Sequence, residues 1–205
     1  MKKKTKFLNI NVFNNFNEIL NSLYGFVKEG KIRNIGISNE KSWGAMRYIE
    51  ESNKCNLPRV VTIQNAYSLL NRPFEGDLAE ISIREGIGLL AYSPLGFGVL
   101  TGKYINGTAS DNSRLKLFPR FSRYSSPEAT NATKEYLKIA LDNNLSLAQM
   151  SLAFVNQQSF VTSNIIGATN LKQLAENISS IEVTLGDDVL SKINEVHSKI
   201  PNPSP

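Results

Sequence analysis

The sequence predicts an α/β protein in which parallel β-strands alternate with α-helices. Four short apolar segments, each of the length of a buried strand, are separated by longer segments with apolar residues at helical spacing. Strands that alternate with helices form βαβ units, so the four strands are expected in one parallel sheet. Each strand candidate also ends in polar residues or glycine, as strands that lead into a loop do.

The elements follow in chain order from their patterns. The predicted strands cover 32–37, 60–63, 87–91 and 164–166. The predicted helices cover 15–30, 42–52, 74–85, 133–143, 146–157, 171–179 and 187–199. Ser146 and Gln149 have the spacing of a capping box, and glycines end the first and third helices. Residues 96–130 are long, polar, basic and irregular, which is typical of a functional or a disordered loop.

Composition limits the classes of function. The 205 residues are 41% hydrophobic and 20% charged, as in a soluble domain. The net charge of +5 comes partly from lysines at the start, and no basic face with interleaved aromatics indicates nucleic-acid binding. Cys55 is the only cysteine, which excludes an internal disulfide, and no apolar stretch is long enough for a membrane span. We expect a cytoplasmic protein with a poorly defined segment 1–14, one domain over 15–200 and a disordered tail at 201–205.

The carboxyl ends of the predicted strands carry the candidate binding residues. These ends read Ser38-Asn39, Gln64-Asn65, Tyr92-Ser93 and Gly167-Ala168. In parallel α/β folds ligands bind beyond these ends, and amides such as Asn39 and Gln64 can hold a carboxamide. Tyr92, followed by Gly96, Gly98 and Lys103, suits a flat ring stacked beside a phosphate. The alternatives are capped turns for each amide and a flexible surface loop after the third strand.

Four segments carry a resemblance to a known family. GKIRNIGISN, VVTIQNAYSLLNR, GLLAYSPLGFGVLTGKY and IIGATNLKQLAENI resemble the second half of the NADP-dependent aldo-keto reductases. The resemblance runs in order from about residue 15 to residue 194. It implies a (β/α)8 barrel of the TIM type, truncated here to strands five to eight. It also implies an oxidoreductase that reduces small aldehydes or ketones with NADP as cofactor.

The resemblance implies a cofactor role for each matching position. Ser38, Asn39 and Gln64 would hold the nicotinamide carboxamide, and Tyr92 would stack on the nicotinamide ring. The positions for the pyrophosphate are Ser93, Leu95, Gly96 and Leu100. The positions for the adenosine end are Gly167, Ala168, Thr169, Gln173, Glu176 and Asn177. Lys103, with either Arg114 or Arg120, would meet the 2′-phosphate, since guanidinium groups bind phosphate well.

The family's catalytic Asp, Tyr, Lys and His lie on the first four strands, which this chain does not match. We therefore assign no catalytic residue and no metal site. Tyr67 and Lys103 are the nearest substitutes but stand elsewhere, and His197 is interpreted as a surface or helix-end histidine. Two hypotheses follow: a reductase that needs a complementary half, or an inactive relic or nucleotide-binding module. Free strand edges predict self-association or pairing with a separate N-terminal half.

Overall fold

The computed structural model describes residues 15–119 and 122–204 and shows an α/β fold with parallel strands. The strands are β1 (Ile35–Ser38), β2 (Val60–Ala66), β3 (Gly88–Tyr92) and β4 (Val161–Asn164). The helices are α1 (Phe16–Lys28), α2 (Ser42–Cys55), α3 (Asp77–Glu85), α4 (Arg114–Leu117), α5 (Pro127–Asp142), α6 (Leu147–Asn156), α7 (Leu171–Ser179) and α8 (Asp187–Lys199). The four strands lie in the order β1-β2-β3-β4, and each neighbouring pair is parallel.

The hydrophobic core lies on one face of this sheet. Ile35, Ile63, Leu89 and Ala91 are at most 4% exposed and pack with residues of the helices, among them Met150 of α6. Strand residues alternate between the two faces of a sheet, so the neighbours of these core residues point the other way. The helices therefore cover one face of the sheet.

The other face, called the open face below, is built mainly from small and polar residues. Across the four strands, Gly36, Thr62, Gly88 and Thr162 form one row. A Cβ added to Gly36 would lie 2.4 Å from the Thr62 Oγ1, and the Thr162 oxygen crowds Gly88 even more closely. Glycine is thus required at both positions, because threonine side chains of the neighbouring strands occupy the space where a Cβ would lie. The next row contains Ser38, Gln64, Leu90 and Ser163.

Most element boundaries differ from the sequence prediction by several residues, and local contacts explain two of the differences. Helix α5 begins at Pro127, earlier than predicted, because the Ser126 side chain accepts from the Ala129 N–H and proline occupies the first turn. Strand β4 ends at Asn164, although the apolar pair that follows was predicted as part of the strand. The Ile165 N–H still donates to the Ala91 carbonyl at 2.8 Å, so the ladder extends beyond the assigned end. The predicted capping box at the start of α6 is confirmed.

The C-terminal segment packs onto the loop that follows β2, whereas the sequence predicted a disordered tail at 201–205. The Asn71 Nδ2 donates to the Ser204 carbonyl at 2.7 Å, and the Arg72 N–H donates to the Asn202 Oδ1 at 2.7 Å. The Ser204 N–H donates to the Leu70 carbonyl at 3.0 Å, and Ser204 is fully buried. These bonds satisfy backbone donors and acceptors of the C-terminal segment. The proline-rich composition of the segment alone gave no indication of them. Segment 1–14 and residue 205 lie outside the described residues.

Candidate functional site

The carboxyl ends of β1, β2 and β3 bring Ser38, Asn39, Gln64 and Tyr92 together at one edge of the sheet, here called the rim. The Tyr92 hydroxyl donates to the Asn39 Oδ1 at 2.8 Å, which joins the exits of β3 and β1 across the strand between them. The Ser38 Oγ and the Asn39 N–H both donate to the Gln64 carbonyl at 3.0 Å. Ser38, Asn39 and Gln64 are exposed and Tyr92 is half-buried, so the rim can be reached from solvent.

The backbone at the rim adopts an uncommon conformation at two of the strand exits. Asn39 and Ser93 both have φ of 55°, in the left-handed region that few residues other than glycine occupy. Phe97, in the loop after β3, has φ of 56°. Such residues cost about 1–3 kcal/mol each and cluster at functional sites, where the surrounding structure holds them. The two strand exits with a strained backbone, at Asn39 and Ser93, are therefore among the positions that the resemblance assigned to the cofactor.

The loop after β3 forms a series of tight turns around the predicted pyrophosphate positions. The Gly96 N–H donates to the Ser93 carbonyl at 2.9 Å, and the Leu100 N–H donates to the Leu95 carbonyl at 3.2 Å. Gly96 has φ of 52° and packs on Tyr124, whose ring carbon would lie 3.1 Å from an added Cβ. Leu100 is fully buried, so its side chain belongs to the core. At Gly96 and Leu100 this loop can therefore offer backbone groups rather than side chains to a ligand.

The basic residues predicted for a 2′-phosphate lie on the same loop. The Lys103 ammonium lies 5.2 Å from the centre of the Tyr104 ring, and the Arg114 guanidinium lies 5.1 Å from the centre of the Phe97 ring. The Tyr104 hydroxyl accepts from the Leu115 N–H at 3.2 Å, which holds the Arg114 turn beside Tyr104. Two cations are thus placed on aromatic rings of one loop. The other candidate, Arg120, lies outside the described residues.

The exit of β4 carries the residues predicted for the adenosine end, and several of them contact one another. The Gln173 Oε1 accepts from both the N–H and the hydroxyl of Thr169 at 3.0 Å. The Asn177 Nδ2 donates to the Gly167 carbonyl at 3.2 Å. Glu176 instead accepts from the Ser146 hydroxyl at the start of α6, at 2.5 Å. Gly167, Thr169 and the neighbouring Ala168 are exposed, so the exit loop is fixed against α7 and open to solvent.

The two side chains weighed as proton donors from the sequence, Tyr67 and His197, are buried and half-buried respectively. Tyr67 is fully buried and its hydroxyl donates to the Glu75 carboxylate at 2.5 Å; burial and the neighbouring charge raise the tyrosine pKa. His197 is half-buried near Arg72 and Glu75, and burial lowers the pKa of its imidazole. The described residues contain no group of three or more His, Cys, Asp or Glu side chains that could hold a metal ion.

The sequence prediction missed a buried ion pair behind the rim. The Arg72 guanidinium, 9% exposed, makes two bonds to the Glu75 carboxylate, at 2.6 and 2.7 Å. It also donates to the Asn194 Oδ1 of α8 at 2.9 Å and lies 4.9 Å from the centre of the Phe154 ring. The arginine and glutamate are three residues apart in the sequence, and that spacing was the only signal of this pair. The pair ties the segment after β2 to α6 and α8.

Comparison with known proteins gives the family. The profile of the Aldo/keto reductase family matches residues 4–198. The chain belongs to this family. Because the match runs along nearly the whole chain, it does not by itself assign the chain to one half of the family fold. Aldo/keto reductases are oxidoreductases that generally use NAD(P)H. No described helix is both long and apolar enough to cross a membrane.

Individual relatives support this membership. The chain is 50% identical over 188 residues to "Protein tas" of Escherichia coli, covering 92% of this chain and 54% of that protein. It is 36% identical over 192 residues to an "Aldo-keto reductase" of Babesia bovis, covering 90% of this chain and 67% of that one. It is 29% identical over 184 residues to "L-glyceraldehyde 3-phosphate reductase" of E. coli, with 87% and 53% covered. The chain spans about half the length of protein tas.

Proposed function

We propose that this chain is the cofactor-binding part of an NADP-dependent aldo/keto reductase and corresponds to strands five to eight of the family's (β/α)8 barrel. The observation that carries the proposal is the hydrogen bond between Tyr92 and Asn39, 2.8 Å long, at the rim. It places an aromatic ring beside a side-chain amide at the edge where parallel α/β folds bind ligands. The family membership supports the choice of a nicotinamide cofactor.

The residues present fit such a cofactor. The Asn39 Oδ1 already accepts from Tyr92, so the Asn39 amide can offer its Nδ2 to a carboxamide oxygen. Gln64 is exposed on β2, between the strands that carry Asn39 and Tyr92, and its amide has both a donor and an acceptor. The half-buried Tyr92 provides a flat surface, and Ser93 begins the turn that presents backbone groups to a pyrophosphate. When bound, the cofactor would supply a hydride to the carbonyl carbon of an aldehyde or ketone.

The basic loop after β3 supports NADP rather than NAD. Lys103 and Arg114 are held on the rings of Tyr104 and Phe97. A 2′-phosphate adds negative charge, which a guanidinium and an ammonium stabilise through charge-assisted hydrogen bonds. Replacing Lys103 or Arg114 by methionine should therefore weaken NADPH binding and leave NADH binding nearly unchanged. Lys134, exposed on α5, is the matched control.

Turnover requires a proton donor, and the buried Tyr67 is not available as one. Proton transfer by a positioned acid contributes about 10²–10⁴-fold to such reactions, and Tyr67 is buried against Glu75. We infer that the chain alone binds cofactor without reducing carbonyls, and that an acid from a complementary part of the family barrel completes the site. The second candidate function is a nucleotide-binding module without catalysis, which the same burial of Tyr67 favours.

Calorimetric titration with NADPH tests the proposed binding. Wild-type chain should bind NADPH, and Tyr92→Ala should weaken binding about tenfold or more, since base–aromatic stacking contributes roughly 1–3 kcal/mol. Tyr24→Ala is the control, because Tyr24 is also half-buried but lies on α1. Equal affinity of wild type and Tyr92→Ala, or no binding by the wild type, would refute the proposed site. Carbonyl reduction by the isolated chain would refute the proposed need for a complementary part.

A further inference from the structure

The loop after β3 holds an uncommon run of left-handed backbone conformations. Ser93, Gly96, Phe97 and Gly98 have φ of 55, 52, 56 and 88°. Two of these four residues carry side chains, and such residues persist only where the surrounding structure holds them. Leu95, with φ of −100° and ψ of 12°, precedes Gly96, and an alternation of right- and left-handed residues makes a concavity of backbone N–H groups that suits an anion. The shape of this loop therefore needs a support.

Tyr124 supplies this support from the core. It lies in a short 3₁₀ turn at Ser122–Tyr124, is 1% exposed and belongs to the hydrophobic core. Its Cδ1 lies 3.1 Å from the place where a Cβ of Gly96 would be. Its ring centre lies 4.9 Å from that of Phe97 in an edge-to-face arrangement, which is attractive beyond the area it buries. One buried ring thus contacts two consecutive left-handed residues of the loop.

The same contact extends through Phe97 to the basic part of the loop. The Arg114 guanidinium lies 5.1 Å from the centre of the Phe97 ring, so this ring contacts Tyr124 and Arg114 at once. A shift of the Phe97 ring would therefore move the guanidinium as well. Arg114 is a proposed cation for the 2′-phosphate, and guanidinium–phosphate hydrogen bonds depend on geometry. Tyr124 is thus connected both to the pyrophosphate turn and to a cation of the 2′-phosphate site.

The hydroxyl of Tyr124 is not the part of the side chain that acts on a ligand. Tyr124 is 1% exposed, and burial raises the pKa of its hydroxyl, although the neighbouring Arg123 and Ser93 side chains oppose this rise. A neutral phenol shielded in this way is not placed to contact a phosphate or a carbonyl substrate. The contacts with Gly96 and Phe97 are made by the ring.

We infer that Tyr124 is a positioning residue for the cofactor, whose ring fixes the turn at Gly96 and Phe97 and, through Phe97, the Arg114 guanidinium. This inference rests on the proposed function, which places the pyrophosphate and the 2′-phosphate on this loop. A loop held in its binding conformation loses less conformational freedom when the ligand binds. Loss of the ring should weaken binding of NADPH more than that of NADH, because only NADPH carries the 2′-phosphate.

Calorimetric titration of three variants with NADPH and NADH tests the inference. Tyr124→Leu should weaken NADPH binding about tenfold or more, the size expected for the loss of one hydrogen bond to a charged group, and should lower the ratio of NADPH to NADH affinity about threefold or more. Tyr124→Phe keeps the ring and should bind both cofactors within about twofold of the wild type. Tyr136→Leu is the matched control, because Tyr136 is a fully buried tyrosine of α5 whose hydroxyl donates to the Leu69 carbonyl, outside the loop after β3.

The control separates positioning from a general loss of stability. Tyr136→Leu should melt at a lower temperature and keep the wild-type affinity ratio. An unchanged ratio in Tyr124→Leu, the same fall in Tyr136→Leu, or weak binding by Tyr124→Phe would overturn the inference.

Hydrogen exchange of the free chain tests the support of the loop without any cofactor. The N–H groups of Gly96, Gly98 and Leu100 donate within the loop at 2.9, 2.9 and 3.2 Å. In Tyr124→Leu these amides should exchange about tenfold faster or more than in the wild type, because loops open locally without global unfolding. In Tyr136→Leu they should exchange at the wild-type rate.

A second variant covers the case in which Tyr124→Leu does not fold. Phe97→Leu removes the other ring of the same contact at a half-buried position, and it should show the same faster exchange and the same lower affinity ratio. Unchanged exchange would overturn the inference. Absent NADPH binding by a wild-type chain whose loop amides are protected would refute the proposed function instead.

Discussion

Replacing Arg72 by methionine tests whether the buried ion pair holds the segment behind the rim. Methionine keeps much of the packing against Phe154 but removes both bonds to Glu75 and the bond to Asn194. Glu75 then remains next to the buried Tyr67 hydroxyl without its cation. The substitution should therefore destabilise the protein through an uncompensated carboxylate rather than through a cavity.

The structure sets the size of the effect. Arg72 is 9% exposed and Glu75 27% exposed, so the pair is screened by water only in part. Removing one partner of a buried pair costs about 3–5 kcal/mol. For a chain of this length each kcal/mol shifts the melting temperature by about 2–4 °C, which gives a loss of about 6–20 °C. The double variant Arg72→Met/Glu75→Gln should recover part of this loss, because a neutral amide still accepts from Tyr67.

Thermal and urea unfolding followed by circular dichroism measure the change. Arg84→Met is the matched control, because Arg84 and Glu80 form an ion pair whose side chains are 74% and 65% exposed. An exposed pair contributes about 0–1 kcal/mol, so the control should melt within a few degrees of the wild type. Equal losses for Arg72→Met and Arg84→Met would refute the reasoning, and so would a double variant less stable than the single one.

Three further variants test the packing and the half-buried histidine. Gly88→Ala should lower the free energy of unfolding by about 1–3 kcal/mol, because its Cβ would overlap the Thr162 side chain. Gly25→Ala should instead raise the free energy of unfolding by about 0.5–1 kcal/mol, since nothing lies within 4 Å of that helical position. Urea titrations should therefore show changes of opposite sign for the two glycine variants. The lowered pKa of His197 means that the folded state favours the neutral imidazole. The contribution of His197 to the free energy of unfolding is therefore present above pH ~6.5 and is lost as the pH falls through the folded-state pKa. His197→Gln should therefore lose less stability between about pH 7.5 and 5.5 than the wild type, and equal losses would contradict this.

The sequence was sufficient to predict the parallel α/β fold and the convergence of the strand ends at one edge of the sheet. Helical periodicity and the residues typical of helix ends predicted α7 and α8 at the bounds observed. The capping box at Ser146 also formed as predicted. The approach of Tyr92 to Asn39 followed from a general property of parallel sheets, whose carboxyl ends share one edge. Such local and topological rules need no knowledge of tertiary contacts.

The sequence was insufficient where tertiary contacts decide the outcome. The strand predicted at 164–166 overlaps β4 only at its C-terminal end, because apolar Ile165 resembles a buried strand residue, while the paired segment begins at Val161 with polar neighbours. The C-terminal residues looked disordered from their composition, yet Ser204 is buried by bonds to a loop far along the chain. The Arg72–Glu75 pair depends in the same way on α8. None of these contacts leaves a periodic pattern.

A crystal structure of this chain with bound NADP⁺ tests the proposed cofactor site most directly. We expect the nicotinamide ring to lie in van der Waals contact with the Tyr92 ring and its carboxamide to form hydrogen bonds with Asn39 and Gln64. We also expect the 2′-phosphate to meet Lys103, Arg114 or both. A nicotinamide ring bound away from Tyr92, with the rim in contact with no part of the cofactor, would contradict the proposed site.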